Sequence, residues 1–417
     1  MKKFLVTCLI AIASAWSYGA QILVPMDGSQ RNHLKAYGIA YYVLTYDVEI
    51  SWLLNYRGGS FMFDHHPEFE QELVIRGVSF QIIADVQAAG ILREISDPEV
   101  NMDEIRLHKV PRIAVYSPPN SLPWDDAVTL ALSFAEIPYD VVYDEEVLSG
   151  VLPLYDWLHL HHEDFTGQFG KFWFAYQNHP WYKEEVRLAQ EMARRMGYSK
   201  VSHMKLDVAK KIRDFVAGGG YMFAMCSAPE SIDIALAAEG IDILHQVYDG
   251  DPVEPNAQEK LDFSRTFAFQ NFMVITDPTI YEKSNIDVPK TGRDERTDFF
   301  TLFEFSAKWD PIPTMLTQNH ETVIKGFMGQ TTAFRNAVIK PTVTIMAETR
   351  AKSEARYIHG TLGNGTFTFL GGHDPEDYRH FVGDPPTDLN LFPNSPAYRL
   401  ILNNVLFPAA RKQQQKT

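Results

Sequence analysis

The sequence predicts an α/β fold on a doubly wound, mostly parallel sheet, and three observations carry that expectation. Past residue 20, short apolar runs alternate with helical stretches, the pattern of a mostly parallel sheet with helices on both faces. The stretches 112–116 and 221–225 are β-branched or apolar nearly throughout, as strands buried on both sides require. Gly218-Gly219-Gly220 stops a helical stripe of Val208, Ile212, Phe215 and Val216 immediately before the second of them.

Taken in order, an N-terminal α/β unit is expected over 21–110. Its strands fall at 22–25, 48–54, 61–63 and 78–83, and its helices at 30–44, 67–76 and 86–95, with a polar linker at 96–110. A second domain is expected over 111–407. It opens with the strand 112–116, stopped by Pro118-Pro119, and Asp125 and Asp126 then stand where a helix N-terminus favours negative charge. Strands follow at 140–143 and 155–160, and the second of these runs into the charged loop His161-His162-Glu163-Asp164. An aromatic insertion spans 165–202, and a loop-rich insertion spans 249–340. After the strand 221–225, Pro229 in a first turn predicts a helix to 238. A strand at 342–347 precedes a closing β-hairpin, 355–361 and 366–370, around Gly363-Asn364-Gly365. A helix over 395–406 and a basic tail over 408–417 complete the chain.

Residues 1–20 have the three parts of a secretory signal: Lys2 and Lys3, an apolar run over 4–13, and small residues around 13–15 or 17–19. An exported protein, periplasmic or secreted, is expected. Loss of Lys2 and Lys3, and of no acid, would move the net charge from −15 to −17. So acidic a chain is not expected to bind nucleic acid, which needs clustered cations. No later apolar run approaches the roughly 20 residues of a membrane helix. Only Cys226 remains past the leader, so no internal disulfide can form.

In an open parallel sheet, ligands bind at the carboxyl ends of the strands. Three charged clusters fall there: 159–164, 226–230 and 373–377. Cys226, between an apolar strand and a helix N-terminus, has the position of a thiolate nucleophile, although a buried cysteine serves equally as a small hydrophobe. His373 is the candidate base, oriented by Asp374 or Glu376 in the logic of a triad. His161, His162, Glu163, Asp164 and Ser227 are expected on the rim of the cleft as substrate-binding groups. His159 and His161 share a face of an extended segment, and with Glu163 or Asp164 they offer a weak metal signal. The leading reading takes no cofactor and no metal.

The run 215–226, Phe-Val-Ala-Gly-Gly-Gly-Tyr-Met-Phe-Ala-Met-Cys, resembles the nucleophile strand and elbow of the class I glutamine amidotransferase-like superfamily. The closing hairpin with Gly372-His373-Asp374 resembles the end of its ThuA-like branch. The resemblance covers about 112–240 and 340–407; it implies a flavodoxin-like domain with Cys226 as nucleophile and His373 as base. Glu376 stands three residues past His373 where an amidotransferase has His-x-Glu, and Ser227-Ala228-Pro229 replaces its Gly-His-Gln. The whole chain, including 32–38 and 157–167, is similar to an exported bacterial family labelled asparagine synthetase B. It lacks the N-terminal cysteine and the Ser-Gly-Gly-x-Asp-Ser loop of that chemistry.

Three functions are therefore expected, in order. The first is a cysteine-dependent hydrolase or amidase acting on a small amide or glycan-derived substrate. The second is a non-catalytic carbohydrate- or partner-binding module using the aromatic insertion. The third is a metal-dependent hydrolase on His159, His161 and Glu163 or Asp164.

Overall fold

The computed structural model describes residues 19–410 apart from 121, 289 and 350–352. The expected leader lies outside the described residues except for Gly19 and Ala20, as does the basic tail from 411 onward.

The N-terminal unit is a five-stranded, wholly antiparallel sheet: β1 (Ala20–Val24), β2 (Ile50–Leu54), β3 (Ser60–Asp64), β4 (Gln81–Ala84) and β5 (Asp103–Leu107), in the order β4-β1-β3-β2-β5. β5 lies within the expected linker. Its polar sequence Asp-Glu-Ile-Arg-Leu hides a strand that pairs with β2 along all five residues and buries Ile105 and Leu107.

The second sheet contains β6 (Ile113–Tyr116), β7 (Asp140–Val142), β8 (Trp157–Leu160), β9 (Tyr221–Met225), β10 (Phe299–Leu302), β11 (Val323–Lys325), β12 (Phe334–Arg335), β13 (Thr344–Thr349), β14 (Glu354–Leu362) and β15 (Gly365–Leu370). The order is β11-β10-β13-β14-β15-β9-β8-β6-β7, with β12 paired to β14. The flavodoxin-like, doubly wound, mostly parallel sheet expected from the sequence is therefore incorrect, and the fold is mixed α/β. The run β7-β6-β8-β9-β15 is parallel, whereas β15-β14-β13-β10-β11 is antiparallel. Two features turn the sheet antiparallel. Gly363, at φ +60°, and Asn364 close a tight hairpin that returns β15 against β14. The 249–340 segment, expected to be a loop-rich insertion, supplies β10, β11 and β12.

One buried cluster runs across the expected boundary at 110, from Ile22 and Trp52 through Trp157 and Phe223 to Leu400 and Leu406. The helices His33–Leu44, Ala127–Ala135 and Pro396–Leu406 form the layer between the two sheets. Gly38 sits at the closest crossing, where a Cβ would fall 1.8 Å from the Ala135 carbonyl oxygen. No described helix is long and apolar enough to cross a membrane.

Candidate functional site

Cys226 follows β9 directly, in the parallel half of the sheet next to β15, where the pairing turns antiparallel. Its φ of +52° lies in the left-handed region, which costs a side-chain-bearing residue about 1–2 kcal/mol. The turn is held from both sides. The Cys226 N–H donates to the Gly372 carbonyl at 3.1 Å, and the Ala228 N–H donates to the His161 carbonyl at 2.9 Å. Sγ accepts from the Gln330 N–H at 3.3 Å and from the Ser227 N–H. Burial pushes the thiol pKa up, against those donors and the positive field of Lys283 and Lys290.

Three strand ends converge here. β8 ends at Leu160 and delivers His161; β15 ends at Leu370, and Gly371-Gly372 leads to His373. Gly372, at φ +103°, leaves no room for a Cβ against the Phe327 ring, so the chain passes close to its neighbour before it presents the imidazole. One ligand atom each from His161, Cys226 and His373 lies within 4.8 Å of the others, and all three residues are buried. His161 Nδ1 stands 3.2 Å from Asp126 Oδ2 as an ion-pair contact outside hydrogen-bond alignment, and the Nε2 atoms of His161 and His373 are buried with no hydrogen-bond partner.

Asp126 organises this region. Its Oδ1 caps the helix Ala127–Ala135 by accepting from the N–H groups of Val128 and Thr129, and its Oδ2 faces both His159, at 3.1 Å, and His161. Burial opposes ionisation, but the two imidazoles hold the carboxyl well below the usual carboxylate range. His159 also packs beside Trp157 and Phe223, and burial pushes its pKa down. His373 is likewise held well below the usual histidine range, by burial and then by neighbouring His161, His162 and His380. His380 behaves in the opposite way. Burial disfavours its charge, but Asp125 and Asp377, each at 2.9 Å, raise its pKa to about 9.

The structure brings Cys226, His161 and His373 together, with His162 beside them at ring separations of 4.8 Å from His161 and 5.7 Å from His373. It does not place Asp374 or Glu376 behind His373. Asp374 Oδ1 accepts from the Tyr398 hydroxyl at 3.0 Å and from the Glu376 N–H, and the Glu376 carboxyl turns to Ser395. The chain bends and turns through 372–376, and that course carries the Asp374 carboxyl to Tyr398. The carboxyl grouped with His373 is instead Asp125, together with His380. Ser227 Oγ is buried without a partner.

Glu163 and Asp164 do not join His159 and His161 in a metal group. They line a cleft of about 340 Å³ that His162 borders. Asp164 accepts from Thr166 N and Gly170 N, both at 2.7 Å, and burial raises the Glu163 pKa to about 8. Asp125, Asp126 and His380 are the residues that sequence reasoning left out of the site. The only signal for the two aspartates was their place at a helix start, and His380 had only its spacing, three residues past Asp377.

No family model matches this chain, and none of the curated proteins matches it. Among solved structures, two cytoplasmic proteins from Salmonella typhimurium are similar at 10% and 11% identity. Both alignments cover 72% of this chain, with 100% and 99% of theirs, at TM-scores of 0.35 and 0.33. A β-galactosidase from Bacillus circulans is similar at 11% identity over 64% of this chain and 29% of its own, with a TM-score of 0.25. Likenesses this weak carry no argument about activity, and they do not bear on the amidotransferase-like resemblance.

Proposed function

We propose that the chain is a metal-dependent hydrolase whose ion is held by His161, Cys226 and His373. The observation that carries this reading is the convergence of three buried ligand atoms, two of them imidazole groups whose Nε2 atoms have no partner. A thiolate with two imidazoles suits zinc or a similarly borderline-soft divalent ion, and three protein ligands are the usual number where one position stays open for chemistry. Such an ion supplies a hydroxide nucleophile near neutral pH. Asp126 supports the assignment, since a carboxylate on the far nitrogen is the common way to orient a ligating histidine. The metal set differs from the one expected from sequence: His161 stays, and Cys226 and His373 replace His159 and the two carboxylates. Action on a small amide or glycan-derived substrate outside the cytoplasm belongs to the same proposal, the location resting on residues 1–20.

A second reading, Cys226 as nucleophile with His373 as base, is favoured by the +52° turn and the N–H donors at Sγ. Against it, the cysteine is only 4% exposed. Elemental analysis of protein purified without chelator separates the two. Dialysis against zinc is expected to leave a stoichiometric ion, and Cys226→Ala and His373→Ala each to weaken its retention roughly tenfold or more. A metal-free protein whose thiol reacts rapidly with iodoacetamide would reverse the order of the two readings.

A further inference from the structure

The cleft beside the centre is lined by two acids, Glu163 and Glu185, and Lys205, whose positive field reaches both, is bonded elsewhere. Glu163 is 7% exposed and lines the cleft; Glu185 Oε2 is buried without a hydrogen-bond partner. The cleft's own cations are already engaged. Lys205 Nζ donates to Asp144 Oδ1 at 2.9 Å, to the Tyr116 hydroxyl at 3.0 Å and to the Tyr143 hydroxyl at 3.1 Å, which uses its three protons. Arg195 pairs with Glu145 at 2.5 Å. Desolvation favours the neutral form of a carboxyl buried in a cleft, and a cation bound beside it favours the carboxylate.

The lining is also aromatic. Trp124 and Phe172 pack at 5.5 Å with a 35° tilt, and Phe169 lines the same cleft. Ring faces attract organic cations and also pack alkyl chains. A volume of about 340 Å³ is at the small end of ligand pockets. His162, in the cleft wall, connects it to His161 and His373.

We propose that this cleft binds an organic ammonium group, with Glu163 and Glu185 as its carboxylate partners and Trp124 and Phe172 packing its alkyl body. The proposal deepens the metal-hydrolase reading by giving its substrate a positively charged amine, and it rests on that reading only for what happens after binding.

Calorimetric titration of the full chain with n-butylammonium tests it, with 1-butanol as the uncharged isostere and glucose as a neutral polyol. Butylammonium is expected to bind, butanol at least roughly tenfold more weakly, and glucose not at all. Glu163→Gln and Glu185→Gln, which keep the side-chain shape, are each expected to weaken butylammonium about tenfold or more. Absence of butylammonium binding, equal binding of butanol, preference for glucose, or indifference to both substitutions would each overturn the proposal. Metal content measured on the same samples keeps the two readings apart. Retained metal without ammonium binding sinks only the cleft assignment; ammonium binding by a protein that cannot hold metal sinks only the hydrolase centre.

Discussion

Lowering the pH from 7 to 5 is expected to cost several kcal/mol of folding stability, through histidines remote from the centre. His33 and His359 are buried, and burial first of all lowers the pKa of each from 6.5 to about 4. His33 stacks on His320 at 4.0 Å with Arg399 close by. The Arg399 guanidinium lies 3.0 Å from His320 Nδ1, which must accept and is therefore unprotonated. Below pH 6.5 the unfolded chain takes up protons that these folded imidazoles refuse until about pH 4. The unfolded state then binds more protons, and stability falls as pH falls through that window. Each of the two groups removes on the order of 2 kcal/mol by pH 5. Together they take a large share of the roughly 5–15 kcal/mol typical of a folded protein. A bound ion would hold the imidazoles of the centre, so the two remote groups carry the effect. Urea unfolding at pH 7, 6 and 5 measures the effect. His359→Gln is expected to remove about half of the slope, and stability that stays flat down to pH 5 would refute the argument.

Asp298→Ala is expected to cost about 3–5 kcal/mol, because it strips the counter-charge from a guanidinium sealed in the core. Arg356 is fully buried, and its Nη2 contacts both Asp298 oxygens, at 2.6 and 2.7 Å. Its Nη1 donates to the carbonyls of Phe327 and Thr332, at 3.0 Å each. These bonds fix the ends of the segment that places the Gln330 N–H against Cys226 Sγ. Arg293, paired with Glu354 at 2.8 Å, belongs to the same buried network. The substitution is therefore expected to weaken metal retention as well as stability. Chemical denaturation showing less than about 1 kcal/mol of loss would mean that water or rearrangement replaces the carboxylate.

What could be read from the sequence was local. Strand and helix alternation located β6, β8 and β9, the Gly-Asn-Gly hairpin located β14 and β15, and the apolar strand before Cys226 located its turn. Strand direction was not legible, because β15 pairs parallel to β9 on one side and antiparallel to β14 on the other with no difference in its own pattern. β5 went unrecognised because charged residues interrupt its apolar positions, and β10, Phe-Phe-Thr-Leu, because it lies within a stretch whose acids, prolines and asparagines read as loop. The site shows the same division. Cys226, His161 and His373 each follow a strand end and could be singled out, but Asp126, which meets His161, comes from a helix start well before it in sequence. Asp374 looked like a partner only because it is adjacent to His373, whereas its contact is Tyr398.

The metal centre is tested most directly by X-ray absorption at the edge of the retained ion in zinc-loaded protein. A first shell of one sulfur and two imidazole nitrogens, with the sulfur lost in Cys226→Ala, is the expected result. A shell of oxygen and nitrogen alone, unchanged by that substitution, would contradict the assignment of Cys226, His161 and His373 as the ligands.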